Sequence, residues 1–156
     1  MAGLTDPLQV KGVTLRNRIV MPPMQSGRAT FDGAVTNKLI NFYVRRSGSV
    51  GLPIVEHAYV SLTGKLSPKQ LGIYSDELTA GFEKFAAGIH AVGAPAVLQI
   101  THAGGVANKN VIGTQPAGPS ASGKSRELTK TELETIADQF ALADFFRASP
   151  WESAPV

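Results

Sequence analysis

The fold is decided by the stretch Val50–His57, which reads VGLPIVEH. Its first six residues, Val50–Val55, form an apolar run that stops at a charged residue and a histidine. Two similar runs flank it in the chain, at Arg18–Met21 and at Ala94–Ile100. Near-continuous apolar runs of this length are typical of parallel strands that are buried on both faces. The sequence therefore predicts three core strands.

Helical patterns separate these strands. Thr36 is suited to cap a first helix, whose apolar residues recur at helical spacing as far as Ser47. Ser75 and Asp76 can cap a second helix, and Gly93 is placed as its C′ residue. Each of the first two strands is thus followed by a helix before the next strand begins.

A third helix follows the third strand after a long gap. The segment His102–Glu127 has no clear periodicity, and a loop of this length in a compact domain indicates a functional role. Thr129 and Glu132 form a capping box for the helix, which ends no later than Ser149 because Pro150 cannot continue it.

The alternation of strand and helix leaves two architectures open. Parallel strands covered by helices occur in doubly wound sheets and in (β/α)8 barrels. A whole barrel takes about 250 residues, so a 156-residue chain with three strands would be an incomplete one. The alternating segment Leu8–Leu15 predicts an N-terminal hairpin before the core. If the barrel is incomplete, interior residues lose the wall opposite to them; we expect this of Ile19, Met21, Val55, Val97 and Ile100.

Composition excludes several classes of protein. Only 17% of the residues are charged, against roughly 25% in an average domain, which indicates a piece of something larger. There is no cysteine, so disulfides and thiolate chemistry are excluded. The net charge of +3 has one tight basic cluster, Arg45-Arg46, which does not indicate nucleic-acid binding.

No membrane segment or targeting signal is predicted. The uncharged stretch Phe85–Asn108 is interrupted by Gly93 and Pro95 and contains two histidines, which are costly in hydrocarbon. The first six residues lack both a basic and an apolar region. We therefore expect a cytoplasmic protein.

Side chains that could contact a ligand lie at or just after the end of each predicted strand. They are Pro22, Pro23, Met24 and Gln25 after the first, Glu56 and His57 after the second, and Gln99 and His102 at the third. The carboxyl ends of parallel strands meet at one rim, where function gathers in such folds. Amides and imidazoles there suit a planar heteroaromatic ligand, and proline and methionine offer an apolar face for stacking. No nucleophile with an adjacent base is present, and two histidines alone give weak support for a metal.

Each of these residues also has an ordinary structural interpretation. His57 and His102 are about as suited to cap loops as to contact a ligand, and Met24 can be core filler. Gln99 is more informative, because an amide inside an apolar strand must find buried partners.

Several motifs together resemble the old yellow enzyme family. They are Asn17–Met24 (NRIVMPPM), Val50–Leu52 with Val55-Glu56, Leu71–Glu77 (LGIYSDE), Leu98–Gly104 (LQITHAG), Pro119–Ala121 and Glu127–Thr129. The resemblance covers residues 1–143. It implies the first three βα units of a (β/α)8 barrel with an N-terminal hairpin. It also implies FMN at the carboxyl rim, NAD(P)H as reductant, and an activated alkene such as an α,β-unsaturated carbonyl as small-molecule substrate.

The resemblance also implies which residues contact the cofactor. Pro22, Pro23, Met24 and Gln25 match the segment beside the flavin ring, His57 matches a contact near flavin O4 and N5, and Gln99 matches the amide on the pyrimidine edge. Two departures stand out: Gly105 replaces the usual Arg, and Pro53 lies inside a central strand, where it removes a ladder donor.

The resemblance stops near residue 143, and residues 144–156 form a divergent tail. The family's substrate-polarising pair, its proton-donating Tyr and its phosphate site would lie beyond that point. We therefore expect a truncated oxidoreductase, inactive alone. Two alternatives remain: a non-catalytic half-barrel that acts by pairing with another chain, and a small doubly wound binding domain. The expected protein partners are a second copy of the chain or a complementing C-terminal half of the barrel.

Overall fold

The computed structural model describes residues 2–144 of the chain. Near the start, β1 (Leu8–Val10) and β2 (Val13–Leu15) pair as an antiparallel hairpin. Lys11 in the turn has φ of 50°, in the left-handed region that a tight turn requires. The predicted hairpin is confirmed.

The core sheet has three parallel strands in the order β3-β4-β5. They are β3 (Val20–Met21), β4 (Leu52–Tyr59) and β5 (Val97–Thr101). The central strand runs past its predicted end and includes both Glu56 and His57. The third strand begins at residue 97 rather than 94, after Pro95, which has no N–H to give to a ladder.

Pro53 is compatible with its place in the central strand. It is opposite Met21 of β3, whereas the ladder to β5 begins one residue later, with Ile54 opposite Val97. The missing N–H therefore falls before the β4–β5 ladder starts.

A bulge interrupts the register of β4 and β5. Val55 is opposite Leu98 and Ala58 is opposite Ile100, so Glu56 and His57 together face one residue of β5, Gln99. In a regular strand, side chains three positions apart point to opposite faces of the sheet. The extra residue of the bulge changes this, so that Val55 and Ala58 both pack into the core cluster.

Two helices cover one face of the sheet. They are α1 (Asn37–Ser47) and α2 (Thr79–His90). As predicted, the side chain of Thr36 caps α1 by accepting the N–H of Leu39. Ser75 caps a short 3-10 turn that leads into α2, and Gly93, with φ of 72°, follows the end of α2.

The two faces of the sheet differ in burial. The helix-covered face forms the core, with Leu39, Tyr43, Phe82, Phe85 and Ile89 packed on Val55 and Ala58. On the other face, Val20 and Val97 are 46% and 47% exposed; we call these the open-face valines. The expected set of exposed interior residues was therefore partly wrong, since Met21, Val55 and Ile100 belong to the helix-covered side.

The segment Leu71–Ile73 extends the sheet beside the end of β4. Tyr59 donates its N–H to Leu71 O at 2.9 Å, and Ile73 donates its N–H to Tyr59 O at 2.9 Å. A Cβ on Gly72 would lie 2.6 Å from a ring carbon of Tyr59, so only glycine allows this close approach. The family-like motif at 71–77 thus has a packing role.

The long segment after β5 carries local structure, contrary to the prediction. It contains a 3-10 turn (Gly104–Val106), α3 (Lys109–Ile112), and β6 (Ala117–Gly118), which pairs in parallel with β7 (Arg126–Glu127). A Cβ on Gly105 would lie 3.1 Å from Ser125 Oγ. The glycine that replaces the usual Arg therefore fits a close packing of this segment.

The last described helix is α4 (Lys130–Leu142), which begins at the predicted capping box of Thr129 and Glu132. None of its residues is fully buried, and Leu133 is 48% exposed. The predicted helix limit at Ser149 and Pro150, and the predicted tail from residue 145 onward, lie outside the described residues. In the described part of the chain, no helix combines the length and apolar character needed to cross a membrane.

Candidate functional site

The rim at the carboxyl ends of β3, β4 and β5 holds the predicted site residues. Pro22, Pro23 and Met24 follow β3 directly, and Met24 is 61% exposed while Pro23 is half-buried. Exposed proline and methionine side chains give this strand exit an apolar surface.

Gln25 and His57 are brought together by the fold. The Gln25 Oε1 lies 3.3 Å from His57 Nε2, although the residues are 32 positions apart. The amide Nε2 of Gln25 donates to Ser67 Oγ in the loop after β4. Two of the predicted residues are therefore one hydrogen-bonded pair.

Sequence reasoning missed Gln70, which is fully buried behind His57. Its Nε2 donates to His57 Nδ1 at 2.9 Å, and its Oε1 accepts the N–H of Leu66 at 2.7 Å. Burial lowers the pKa of His57 below its ordinary value, so the ring is neutral at pH 7. The only local signal for Gln70 is its place directly before the 71–77 motif.

Glu56 ties two strand exits together. It is fully buried, its Oε2 accepts the N–H of Ser26 at 2.9 Å, and its own N–H donates to Tyr43 Oη at 2.8 Å. Burial raises the pKa of the Glu56 carboxyl. The segment after Gln25 is thus held against the bulge in β4.

Gln99 differs from the prediction. Its side chain is exposed rather than buried, and the prediction that it has buried partners is therefore wrong. The reason is that Gln99 lies two residues after Val97 and shares the open face of the sheet. Its position opposite Glu56 and His57 nevertheless places it at the same rim.

His102 caps the loop that follows β5. Its Nδ1 accepts the N–H of Gly104 at 3.0 Å, and its Nε2 lies 3.3 Å from Thr63 Oγ1. Burial lowers its pKa as well; we refer to His57 and His102 as the rim histidines. The ring also packs on Gly64, where a Cβ would lie 2.4 Å from His102 Cδ2.

A cavity of about 220 Å³ separates His102 from α4. Its lining includes Ser61, Thr63, Gln115, Ile136 and Gln139. Gln25, His57 and Gln99, at or before the strand exits, do not line it. His102 therefore faces a different space from the pair formed by Gln25 and His57.

The rim offers recognition chemistry. Two amides and a neutral imidazole present hydrogen-bond donors and acceptors beside an apolar surface, which suits a planar ring with a polar edge. Among residues 2–144, no group of three or more His, Asp or Glu could hold a metal ion.

Comparison with known proteins identifies the family. The sequence profile of the NADH:flavin oxidoreductase / NADH oxidase family matches residues 3–144. The chain is 45% identical over 141 residues to the NADH:acrylate oxidoreductase of Vibrio harveyi, an alignment that covers 89% of this chain and 14% of that protein.

Two solved structures agree with this result. The old yellow enzyme homologue from Zymomonas mobilis matches with a TM-score of 0.88 and 31% identity, covering 96% of this chain and 46% of that one. Morphinone reductase matches with a TM-score of 0.85 and 28% identity, covering 94% and 45%.

The chain spans less than half of the length of each of these relatives. Of the two architectures that the sequence left open, the likeness to old yellow enzyme structures confirms the partial (β/α)8 barrel and not the doubly wound sheet. A profile match over residues 3–144 leaves no ambiguity about relationship: the chain belongs to the NADH:flavin oxidoreductase / NADH oxidase family.

Proposed function

We propose that this chain supplies the flavin-ring side of an FMN-dependent NAD(P)H oxidoreductase of the old yellow enzyme type. The observation that carries the proposal is the convergence of Gln25, His57 and Gln99 at one rim, beside a bulge in the central strand. Bulges next to a site re-aim side chains, and this one directs two residues of β4 toward a single residue of β5.

Each rim residue has a proposed role toward the ring. Gln99, exposed on the open face, would pair with the polar pyrimidine edge, and His57 would meet an acceptor atom near the centre of the ring system. Pro22, Pro23, Met24 and Gln25 would line its face and edge. This donor set fits a flavin ring, which carries both donors and acceptors along one edge.

The proposed reaction is reduction of an activated alkene. When bound, FMN supplies hydride transfer from NAD(P)H to such a substrate. The relative that is 45% identical is an NADH:acrylate oxidoreductase, and acrylate is an α,β-unsaturated acid, which supports this class of small-molecule acceptor. An NAD(P)H-dependent reaction also supports our proposal of a cytoplasmic protein.

We propose that the chain alone is inactive. Residues 2–144 contain three barrel strands, whereas the phosphate site of barrels is typically built after strands seven and eight. We propose that residues 1–143 are the barrel part and residues 144–156 a divergent tail. The isolated chain should therefore bind FMN weakly, as followed by quenching of flavin fluorescence. A sub-micromolar dissociation constant with one flavin per chain would contradict this and favour a complete binding domain.

A completed barrel tests the site directly. Residues 2–143 can replace the matching segment of the Zymomonas mobilis homologue, and FMN affinity is measured in the chimera. Gln99→Leu should weaken binding by about 1–3 kcal/mol, because the ring's polar edge loses its partner in a dry site. Gln115→Leu, at an exposed amide in the loop after β5, should have no effect. Equal affinity in both variants would refute the role of Gln99.

A second candidate is a non-catalytic half-barrel that pairs with another chain. Both edge strands of the β3-β4-β5 sheet lack a partner within residues 2–144, and the open-face valines remain nearly half exposed. Unpaired strand edges and exposed apolar residues favour association. A neighbouring reading frame that encodes the remaining strands would support a split enzyme. If no such frame exists and the chain forms a defined oligomer without flavin, the second candidate is preferred.

A further inference from the structure

A hydrogen-bonded network of four side chains lies behind and across the rim. It begins at Gln70, passes through His57 and Gln25, and ends at Ser67, and each link is a hydrogen bond. Gln70 is fully buried, and none of the family-like motifs includes it. Because every member has a defined number of donors and acceptors, the direction of each bond can be worked out.

The backbone fixes the orientation of the Gln70 amide. The N–H of Leu66 lies 2.7 Å from Oε1 of Gln70, and a backbone N–H can only donate, so this atom must be the amide oxygen. The other amide atom, Nε2, then faces His57 Nδ1 at 2.9 Å. An amide nitrogen carries two donors and no acceptor.

The orientation of Gln70 in turn fixes the imidazole of His57. Since Gln70 Nε2 can only donate, His57 Nδ1 must accept and carries no proton. In a neutral imidazole the proton then resides on Nε2, which lies 3.3 Å from Gln25 Oε1. The Gln25 amide is consistent with this direction, because its own Nε2 donates to Ser67 Oγ and leaves its oxygen free to accept.

We propose that Gln70 is a positioning residue that holds His57 as the Nε2–H tautomer, so that the exit of β4 presents a hydrogen-bond donor to the rim. This inference rests on the proposed function for its ligand: the group recognised is an acceptor atom, such as a carbonyl oxygen of a planar heteroaromatic ring. A bound ring would take the N–H that Gln25 accepts in its absence. Gln70 itself, fully buried, contacts no ligand.

The placement of Gln70 supports a positioning role over simple packing. The next residue, Leu71, is locked to the end of β4 by the hydrogen bond from the Tyr59 N–H. Gln70 therefore approaches His57 from a backbone that is fixed to the same strand, two residues further along. An apolar side chain could fill the space, but it would leave Nδ1 without a donor.

The experiment is NMR spectroscopy of the full chain labelled with ¹⁵N, without flavin. Long-range ¹H–¹⁵N correlations report which imidazole nitrogen carries the proton, and the chain has three histidines, one of which, His102, is an internal control. The Gly104 N–H fixes the His102 tautomer independently of Gln70. In the unmodified chain we expect His57 as Nε2–H, in about tenfold excess or more over Nδ1–H. A coupling between Gln70 Nε2 and His57 Nδ1 through the hydrogen bond should also be detected.

Two substitutions change the donor at Nδ1. Gln70→Glu replaces it with a carboxyl that, when ionised, can only accept, so His57 should then carry a proton on Nδ1, as the Nδ1–H tautomer or as the imidazolium. Gln70→Leu removes the donor and should give a mixture of tautomers. The matched control Gln115→Glu places the same carboxylate at an exposed amide outside the network and should leave His57 unchanged.

The outcomes separate the inference from the proposed function. An Nδ1–H tautomer in the unmodified chain overturns the inference. So does an Nδ1 without a proton in folded Gln70→Glu protein whose introduced carboxyl is shown by its ¹³C shift to be ionised. If neither variant folds, the tautomer and the coupling of the unmodified chain decide the matter alone. Failure of the completed barrel to bind FMN, with the His57 tautomer as expected, would overturn the proposed function and leave the positioning role of Gln70 in place.

Discussion

Replacing Tyr43 by Phe should destabilise the chain through the bulge in the central strand. The bulge removes Glu56 from the regular ladder, and its N–H donates instead to Tyr43 Oη at 2.8 Å. Both residues are fully buried, so no water can take the place of the lost hydroxyl. Tyr43→Phe thus leaves a backbone donor without a partner in the core.

The magnitude follows from the burial of that donor. A donor that can bond to water after its partner is removed loses little free energy. A buried donor left without any partner lowers the free energy of unfolding by about 1–3 kcal/mol. We expect this loss in the free energy of unfolding. At about 2–4 °C per kcal/mol for a chain of this size, the thermal midpoint should fall measurably.

Tyr74→Phe is the matched control. The hydroxyl of Tyr74 donates to Asp32 O at 3.2 Å, but that carbonyl also accepts from Tyr59 Oη at 2.9 Å. Removing the Tyr74 hydroxyl therefore orphans no group, and Tyr74 is only half-buried. Urea unfolding followed by far-UV circular dichroism compares the two variants. If Tyr43→Phe lowers the free energy of unfolding no more than Tyr74→Phe does, the bulge does not depend on this bond.

Three further outcomes are expected. Gly72→Ala should lower the free energy of unfolding by about 1–3 kcal/mol, because the added methyl overpacks against the Tyr59 ring. Gly48→Ala, with no atom within 4 Å of the added Cβ, should leave the free energy of unfolding nearly unchanged. Equal urea midpoints for the two variants would contradict this. The pKa of both rim histidines is lowered below 6.5 by burial, so below that pH the unfolded chain binds more protons. The two histidines should therefore lower the free energy of unfolding as the pH falls from 7.5 to 5.5, whereas the raised pKa of Glu56 acts in the opposite direction; the histidine contribution is the part of this pH dependence that is lost in the variant His57→Gln/His102→Gln, and an unchanged pH dependence in that variant would contradict it. The chain should self-associate and bind a hydrophobic dye through its open face, and changing both open-face valines to Thr should reduce both effects. Size-exclusion chromatography with light scattering measures the oligomeric state. A sharp monomeric peak at 16.4 kDa, with a cooperative melt and no dye binding, would show that the open face is stable in water without another chain packed on it.

Local interactions made much of the fold predictable. The capping box of Thr129 and Glu132 and the cap at Thr36 involve residues three positions apart, so the sequence pattern contains both partners. The alternation of strand and helix was likewise visible in the apolar periodicity. The rim residues could be named because the carboxyl ends of parallel strands meet at one edge whatever their exact register.

The sequence alone therefore determined the alternation of the three core strands with helices, the caps of α1 and α4, the N-terminal hairpin and the membership of a known family. Only the tertiary structure decided the bulge at Glu56 and His57, the burial of Gln70 behind the imidazole, and the exposure of Gln99. These features depend on contacts between residues 13 or more positions apart, or on which face of the sheet lacks a covering layer. The apolar pattern shows that a strand is buried, but it does not show which donor contacts the imidazole of His57. That donor is Gln70, which only the tertiary fold brings next to His57.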